Sequence, residues 1–132
     1  MQFDHIGLVV PDLACGVTYC REVLGLSRFS VAVEDPLQRV WVQFVYDEHG
    51  LCYELVAPAG EESPVAQVLN TRRNVINHLA YRVTSLLESA ERLREQRHLP
   101  LGSSQPAIAF GGAHVQFFLS PFGHIVELIE EA

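Results

Sequence analysis

The chain repeats itself, and that repeat limits the folds open to it more than any other feature. Residues 4–13, DHIGLVVPDL, lie over residues 77–86, NHLAYRVTSL, at an offset of 73. Residues 40–56, VWVQFVYDEHGLCYELV, lie over residues 113–129, AHVQFFLSPFGHIVELI, at the same offset. Two separate segments that agree on one offset without a gap mark a duplicated unit. His5 falls on His78, Gln43 on Gln116, Gly50 on Gly123 and Glu54 on Glu127.

Each copy reads as the same run of elements. In the first, Phe3–Val10 is a strand rich in apolar and β-branched residues. Asp12 caps a helix running to about Leu24, with Leu13, Val17, Cys20 and Leu24 at helical spacing, and Gly25 stops it. Strands follow near 27–34, 39–46 and 51–57, with a turn at Asp47–Gly50. In the second, Ile76–Val83 is the strand, and Ser85-Leu86-Leu87-Glu88 is a capping box opening a helix to about Arg97. Strands near 100–103, 113–119 and 124–130 close the unit, with residues 103–112 the least regular part. Residues 58–74 join the copies through Pro58, Gly60, Pro64 and a short helix, Val65–Asn70. The expected fold is α+β. It is one domain of two tandem βαβββ modules, 1–57 and 75–132, whose mixed sheet is cupped. A length of 132 residues suits a single domain.

Alternate side chains of a strand share a face. His5 sits with Gly7 and Val9, while Ile6, Leu8 and Val10 form an apolar stripe for a helix to cover. His78 sits with Ala80 and Arg82, opposite Leu79, Tyr81 and Val83. Glu54 and Glu127 each point away from their apolar strand neighbours. Both His and both Glu therefore face away from the helical layer, and Gly7 and Ala80 leave room beside the imidazoles. Any one of these residues alone reads as structural or solvated. Four ionisable groups on one concave face are costly without a partner, which makes a metal site the better reading. With no thiolate, the N/O set suits a six-coordinate divalent ion such as Ni, Co, Mn, Fe or Zn. Gln43 and Gln116 are candidates to line the cavity or orient the ligands. His49, His98, His114 and His124 read as surface residues, and Trp41 as a core or interface residue.

Composition excludes several alternatives. The net charge is −7 and no basic stripe offsets it, apart from the pair Arg72-Arg73, so nucleic acid is not an expected partner. The apolar runs, such as Ile6–Val10, are far too short to cross a membrane. The N-terminus lacks the pattern of a signal peptide, so a cytoplasmic location is expected. Cys15, Cys20 and Cys52 form no CxxC motif and read as buried apolar residues.

The segments DHIGLVVPDL, YELVAP, NHLAYRV and GHIVELIE resemble the vicinal oxygen chelate superfamily over essentially the whole chain. That superfamily includes glyoxalase I, methylmalonyl-CoA epimerase, extradiol dioxygenases and bleomycin-type resistance proteins. The resemblance implies paired βαβββ units cupped around one divalent ion, with Ni, Co or Zn foremost, usually in a homodimer. It also implies proton transfer next to a carbonyl through an enediolate, on a small carbonyl or thioester substrate. Glu127 is then the first candidate for the base, with Glu54 its counterpart across the pseudo-twofold. The leading expectation is a glyoxalase I-like lyase, with a methylmalonyl-CoA epimerase-like enzyme as the alternative. An Fe(II) dioxygenase would use His5, His78 and Glu127 but has no need of Glu54, and a drug-binding resistance protein needs no ligand set. Glyoxalases of this type carry an Arg at the position of Val9. Here the arginine is Arg82 of the second copy, which could anchor an acidic substrate. Epimerases carry a Glu where this chain has Leu37, unless Glu34 or Asp35 substitutes for it.

Overall fold

The computed structural model describes residues 1–131. Strand β1 (Gln2–Val9) buries His5, Gly7 and Val9 on one face, as their parity requires. Helix α1 (Leu13–Glu22) packs on the other. Asp12 Oδ1 accepts from Cys15 N–H at 2.8 Å, which satisfies an orphan donor of the first turn. Leu13, Val17 and Cys20 of α1 join Leu8, Val45 and Leu55 in one apolar cluster. Cys15 departs from the expectation of burial: it is exposed beside its cap, while Cys20 and Cys52 are buried.

The expected strand at 27–34 is two short pieces, β2 (Arg28–Phe29) and β3 (Val33–Asp35), both antiparallel to β4 (Val40–Tyr46). β5 (Cys52–Pro58) closes the first module, and α2 (Ala66–Thr71) lies in the join. The second module repeats the plan with β6 (Ile76–Val83), α3 (Leu86–Glu95), β7 (Leu99–Pro100), β8 (Gln105–Ala107), β9 (Ala113–Leu119) and β10 (Ile125–Glu130). In α3, the buried Leu86, Ala90 and Leu93 recur every three to four residues. Their cluster with Phe118 and Leu128 mirrors that under α1. The irregular stretch 103–112 holds β8 and a single 3₁₀ turn at Ile108–Phe110.

All ten strands form one mixed sheet, ordered β2-β4-β5-β1-β6-β10-β9-β7, with β3 and β8 at its margins. β1 runs parallel to β5 and β6 parallel to β10, while β1 and β6 are antiparallel at the centre. A pseudo-twofold axis therefore passes between β1 and β6. The opposite face, inside the cup, carries its own apolar clusters: Val9, Val42, Val56 and Val65 in one module, Ala107, Val115 and Ile129 in the other. Trp41 belongs to neither: it is exposed on β4, opposite Glu34.

Candidate metal centre

Strand register builds the centre as two rows across the sheet. Phe44 pairs with Glu54, Glu54 with Gly7, and Gly7 with His78. In the second row Phe117 pairs with Glu127, Glu127 with Ala80, and Ala80 with His5. Each row thus combines a Glu from one module with a His from the other. The rows meet at the axis, and His5, Glu54, His78 and Glu127 are all buried there.

The expectation of open volume beside Gly7 is not met. A Cβ on Gly7 would lie only 2.2 Å from His78 Cε1, because the imidazole leans across the strand into that gap. Ala80 fills the equivalent place in the other row with its methyl group.

The four donor atoms converge. His5 Nε2 lies 3.1 Å from His78 Nε2, 3.3 Å from Glu127 Oε1 and 3.5 Å from Glu54 Oε1. His78 Nε2 lies 3.2 Å from Glu127 Oε1 and 3.3 Å from Glu54 Oε1. An ion with bonds of about 2.0–2.2 Å to N and O donors needs neighbouring donors about 3.0–3.5 Å apart. The spacing here matches that need. Glu127 Oε1 is buried with no hydrogen-bond partner, although two imidazole nitrogens stand close to it. Lone pairs aimed at a common point, rather than at one another, leave an atom in that state.

The tautomers suit the same use. His5 Nδ1 donates to Asp4 Oδ2 at 2.7 Å, and His78 Nδ1 donates to Asn77 Oδ1 at 2.9 Å. Both acceptors leave Nε2 facing the centre. Without a metal, protons take its place. Burial pushes His5 down, but the carboxylates of Asp4, Glu127 and Glu54 overcome it and raise its pKa to about 12. Burial also opposes charge on His78, and Glu127 and Glu54 raise it to about 9. Burial would raise Glu54, yet His5 and His78 hold it down to about 2. This arrangement, which favours a cation between two imidazoles and two carboxylates, is the one a divalent ion would exploit.

A cavity of about 390 Å³ opens over the centre, with His78, Glu54 and Glu127 lining its floor. Its walls are largely apolar, with Val42 and Val56 on one side and Phe110 and Phe117 on the other. Leu37, Gln38 and Arg39 border it from the turn before β4, and Val65 and Val68 come from the join. Asp35 also lines it, buried, with Oδ1 accepting from the N–H groups of Leu37 and Gln38 at 3.1 Å each. Glu34 points out to solvent.

Three sequence candidates do other work. Arg82, read as a substrate anchor, gives its Nε–H to Asp4 Oδ1 at 2.6 Å. Gln43 and Gln116 were expected in the cavity or behind the ligands. Instead Gln43 Nε2 donates to Ser30 O and Gln116 Nε2 to Gly102 O, both at 2.9 Å. They tie the irregular margins of the sheet to β4 and β9. Two pairs were missed, and the common offset marks both: Asp4 with Asn77 behind the histidines, and Phe44 with Phe117. Each Phe meets its module's imidazole edge to face, at 5.7 Å for His5 and 5.4 Å for His78. His49, His114 and His124 are exposed and His98 is half-buried, all away from the centre.

Paired βαβββ modules cupped around a buried His/Glu cluster define a vicinal oxygen chelate architecture. The chain belongs to the glyoxalase/bleomycin resistance protein/dioxygenase superfamily, whose profile matches residues 4–117. It is 33% identical to an ethylmalonyl-CoA/methylmalonyl-CoA epimerase of Cereibacter sphaeroides, over 96% of each chain. It is 30% identical to the protein YqjC of Bacillus subtilis, over 98% of this chain and 91% of that one. The crystal structure of methylmalonyl-CoA epimerase from Mycobacterium tuberculosis superposes with a TM-score of 0.81 at 26% identity, covering 99% of this chain and 88% of that one. Divalent-metal dependence is typical of the superfamily, and this chain is an isomerase-like enzyme within it.

Proposed function

We propose that the protein is a divalent-metal-dependent epimerase acting on a 2-substituted malonyl-CoA thioester. The carrying observation is the convergence of His5, Glu54, His78 and Glu127 at donor spacings of 3.1–3.5 Å on the floor of an apolar cavity. Relatives named for epimerisation favour this over the glyoxalase I reading. So does the chain itself: the glutathione-anchoring position is Val9, and the charge of Arg82 is already committed to Asp4.

His5, Glu54, His78 and Glu127 would hold the ion. When bound, a divalent cation there polarises the substrate's carbonyl oxygen and makes the neighbouring carbon a stronger acid. The apolar walls receive the acyl group and exclude water. Glu127 takes the proton from that carbon. Glu54 stands across the pseudo-twofold, in the other row; having taken a proton from solvent, it delivers that proton to the opposite face of the carbon, and Glu127 then gives its own back to solvent. Asp35 is a further carboxylate on the cavity wall. The reading includes Ni, Co or Zn as the ion and a cytoplasmic homodimer as the working form. Among the described residues no helix is long and apolar enough to cross a membrane.

The test is to incubate the metal-loaded protein with methylmalonyl-CoA and ethylmalonyl-CoA in deuterium oxide. Deuterium at the carbon between the two carbonyls, with loss of optical purity, is the expected result. No exchange with either thioester, together with turnover of a methylglyoxal–glutathione adduct, would overturn it.

A further inference from the structure

The two histidines look alike from the metal side and unlike from behind. We propose that Asp4 and Arg82 form a positioning pair that fixes His5 more firmly than Asn77 fixes His78, so that retention of the metal leans on the first module's histidine. This rests on the four residues being metal ligands.

The backbone makes the arrangement possible. A regular strand sends consecutive side chains to opposite faces, so a residue next to each histidine should not reach its ring. The β1–β6 ladder shifts register between Phe3 and His5, leaving Asp4 unpaired, and again between Gly7 and Leu8, leaving Asn77 unpaired. Bulges of this kind re-aim side chains. Here they bring the side-chain oxygen of Asp4 and of Asn77 onto the Nδ1–H of the following histidine.

From there the copies diverge. Asn77 offers a neutral amide oxygen at 2.9 Å. Asp4 offers a carboxylate, with Oδ2 on His5 at 2.7 Å and Oδ1 on Arg82 at 2.6 Å, so both oxygens are used. Arg82 does more than neutralise: its guanidinium lies over the Phe110 ring at 5.8 Å. Phe110 in turn stacks on His5 at 5.7 Å, with 19° between the planes. His5, Asp4, Arg82 and Phe110 thus close a ring around one imidazole. At the offset of 73, Arg82 corresponds to Val9 and Phe110 to Leu37, so His78 has no such ring. A charged acceptor makes a hydrogen bond roughly twice as strong as a neutral one and makes the imidazole a better donor to a metal.

Affinity for Co(II) and Zn(II), measured by chelator competition, tests this in the unaltered protein and four variants. Asp4→Asn, which copies the second module, is expected to weaken binding by about 10–100-fold and to shift the Co(II) ligand-field band. Arg82→Gln should act in the same direction with a smaller loss, and Arg82→Lys should restore part of it. Asn77→Ala should cost less than about tenfold. The proposal fails if Asp4→Asn binds within about twofold of the unaltered protein, or if Asn77→Ala loses as much as Asp4→Asn. If Asp4→Asn does not fold, the two Arg82 variants decide: equal affinity in both and in the unaltered protein overturns it. An unaltered protein that binds no stoichiometric metal would instead sink the ligand assignment, a distinct outcome.

Discussion

The two modules have kept the same chemistry and changed what surrounds it. His, Glu, Gln and Phe recur at the same offset and in the same strand positions. The residue under each imidazole, the residue behind it and the turn over the cavity all differ: Gly7 against Ala80, Asp4 against Asn77, Leu37 against Phe110. The proposed ion on the axis would need equivalent donors from both sides, which fits the match of the inner groups. A substrate carbon is not symmetric, so nothing held the outer groups to the same pattern.

The sharpest way to break the comparison is to remove one carboxylate at a time. Glu127→Gln is expected to slow deuterium exchange by about 10²–10⁴-fold. Glu54→Gln should reduce inversion more than exchange, because the first proton still leaves. Identical profiles for both would make the two modules catalytically equivalent and contradict their assigned roles.

The next effect sits beneath the ligands. Gly7→Ala places a methyl inside the His78 ring and should cost about 1–3 kcal/mol together with loss of metal. Ala80→Gly should cost about 0.5–1 kcal/mol and leave metal binding in place. Thermal denaturation with a metal titration reads both, and equal effects would mean the rows are interchangeable.

The metal-free protein has its own pH profile. His5 and His78 are raised above 6.5, so their stabilisation is full below that value. It declines as pH rises from 6.5 through about 9, where folded His78 loses its proton. Glu54 is lowered from 4.5 to about 2, so its contribution is full above 4.5 and falls away as pH drops through about 2. Stability without metal should therefore plateau between 4.5 and 6.5. A melting temperature that climbs steadily from pH 6.5 to 9 would contradict the charge assignment. Smallest of all, Gln43→Ala and Gln116→Ala should each cost about 1 kcal/mol and leave exchange unchanged, since both amides only staple the sheet margins.

Much of this was legible in the sequence, for definite reasons. The offset of 73 paired the two histidines and the two glutamates, and strand parity put them on one face, because both depend only on backbone periodicity. The roles of Arg82, Gln43 and Gln116 were not legible. A side chain's partner depends on where other strands land, and the Asp4 bulge that captures Arg82 leaves no mark in residue pattern. Asp4 and Asn77 were hidden by the parity rule itself, which sends them to the wrong face. Only their shared offset could have drawn attention to them. The contribution of Val65 and Val68 to the cavity was likewise invisible, since the join between the modules carries no repeat.

The central claim is that one divalent ion is held by ligands drawn equally from both modules. Isothermal titration of the metal-free protein with Co(II) addresses it directly, run beside His5→Ala, Glu54→Gln, His78→Ala and Glu127→Gln. The account predicts one ion per chain in the unaltered protein and weakened binding in all four variants, with the loss in His5→Ala larger than that in His78→Ala. Full-affinity binding that survives loss of either module's ligands would contradict it.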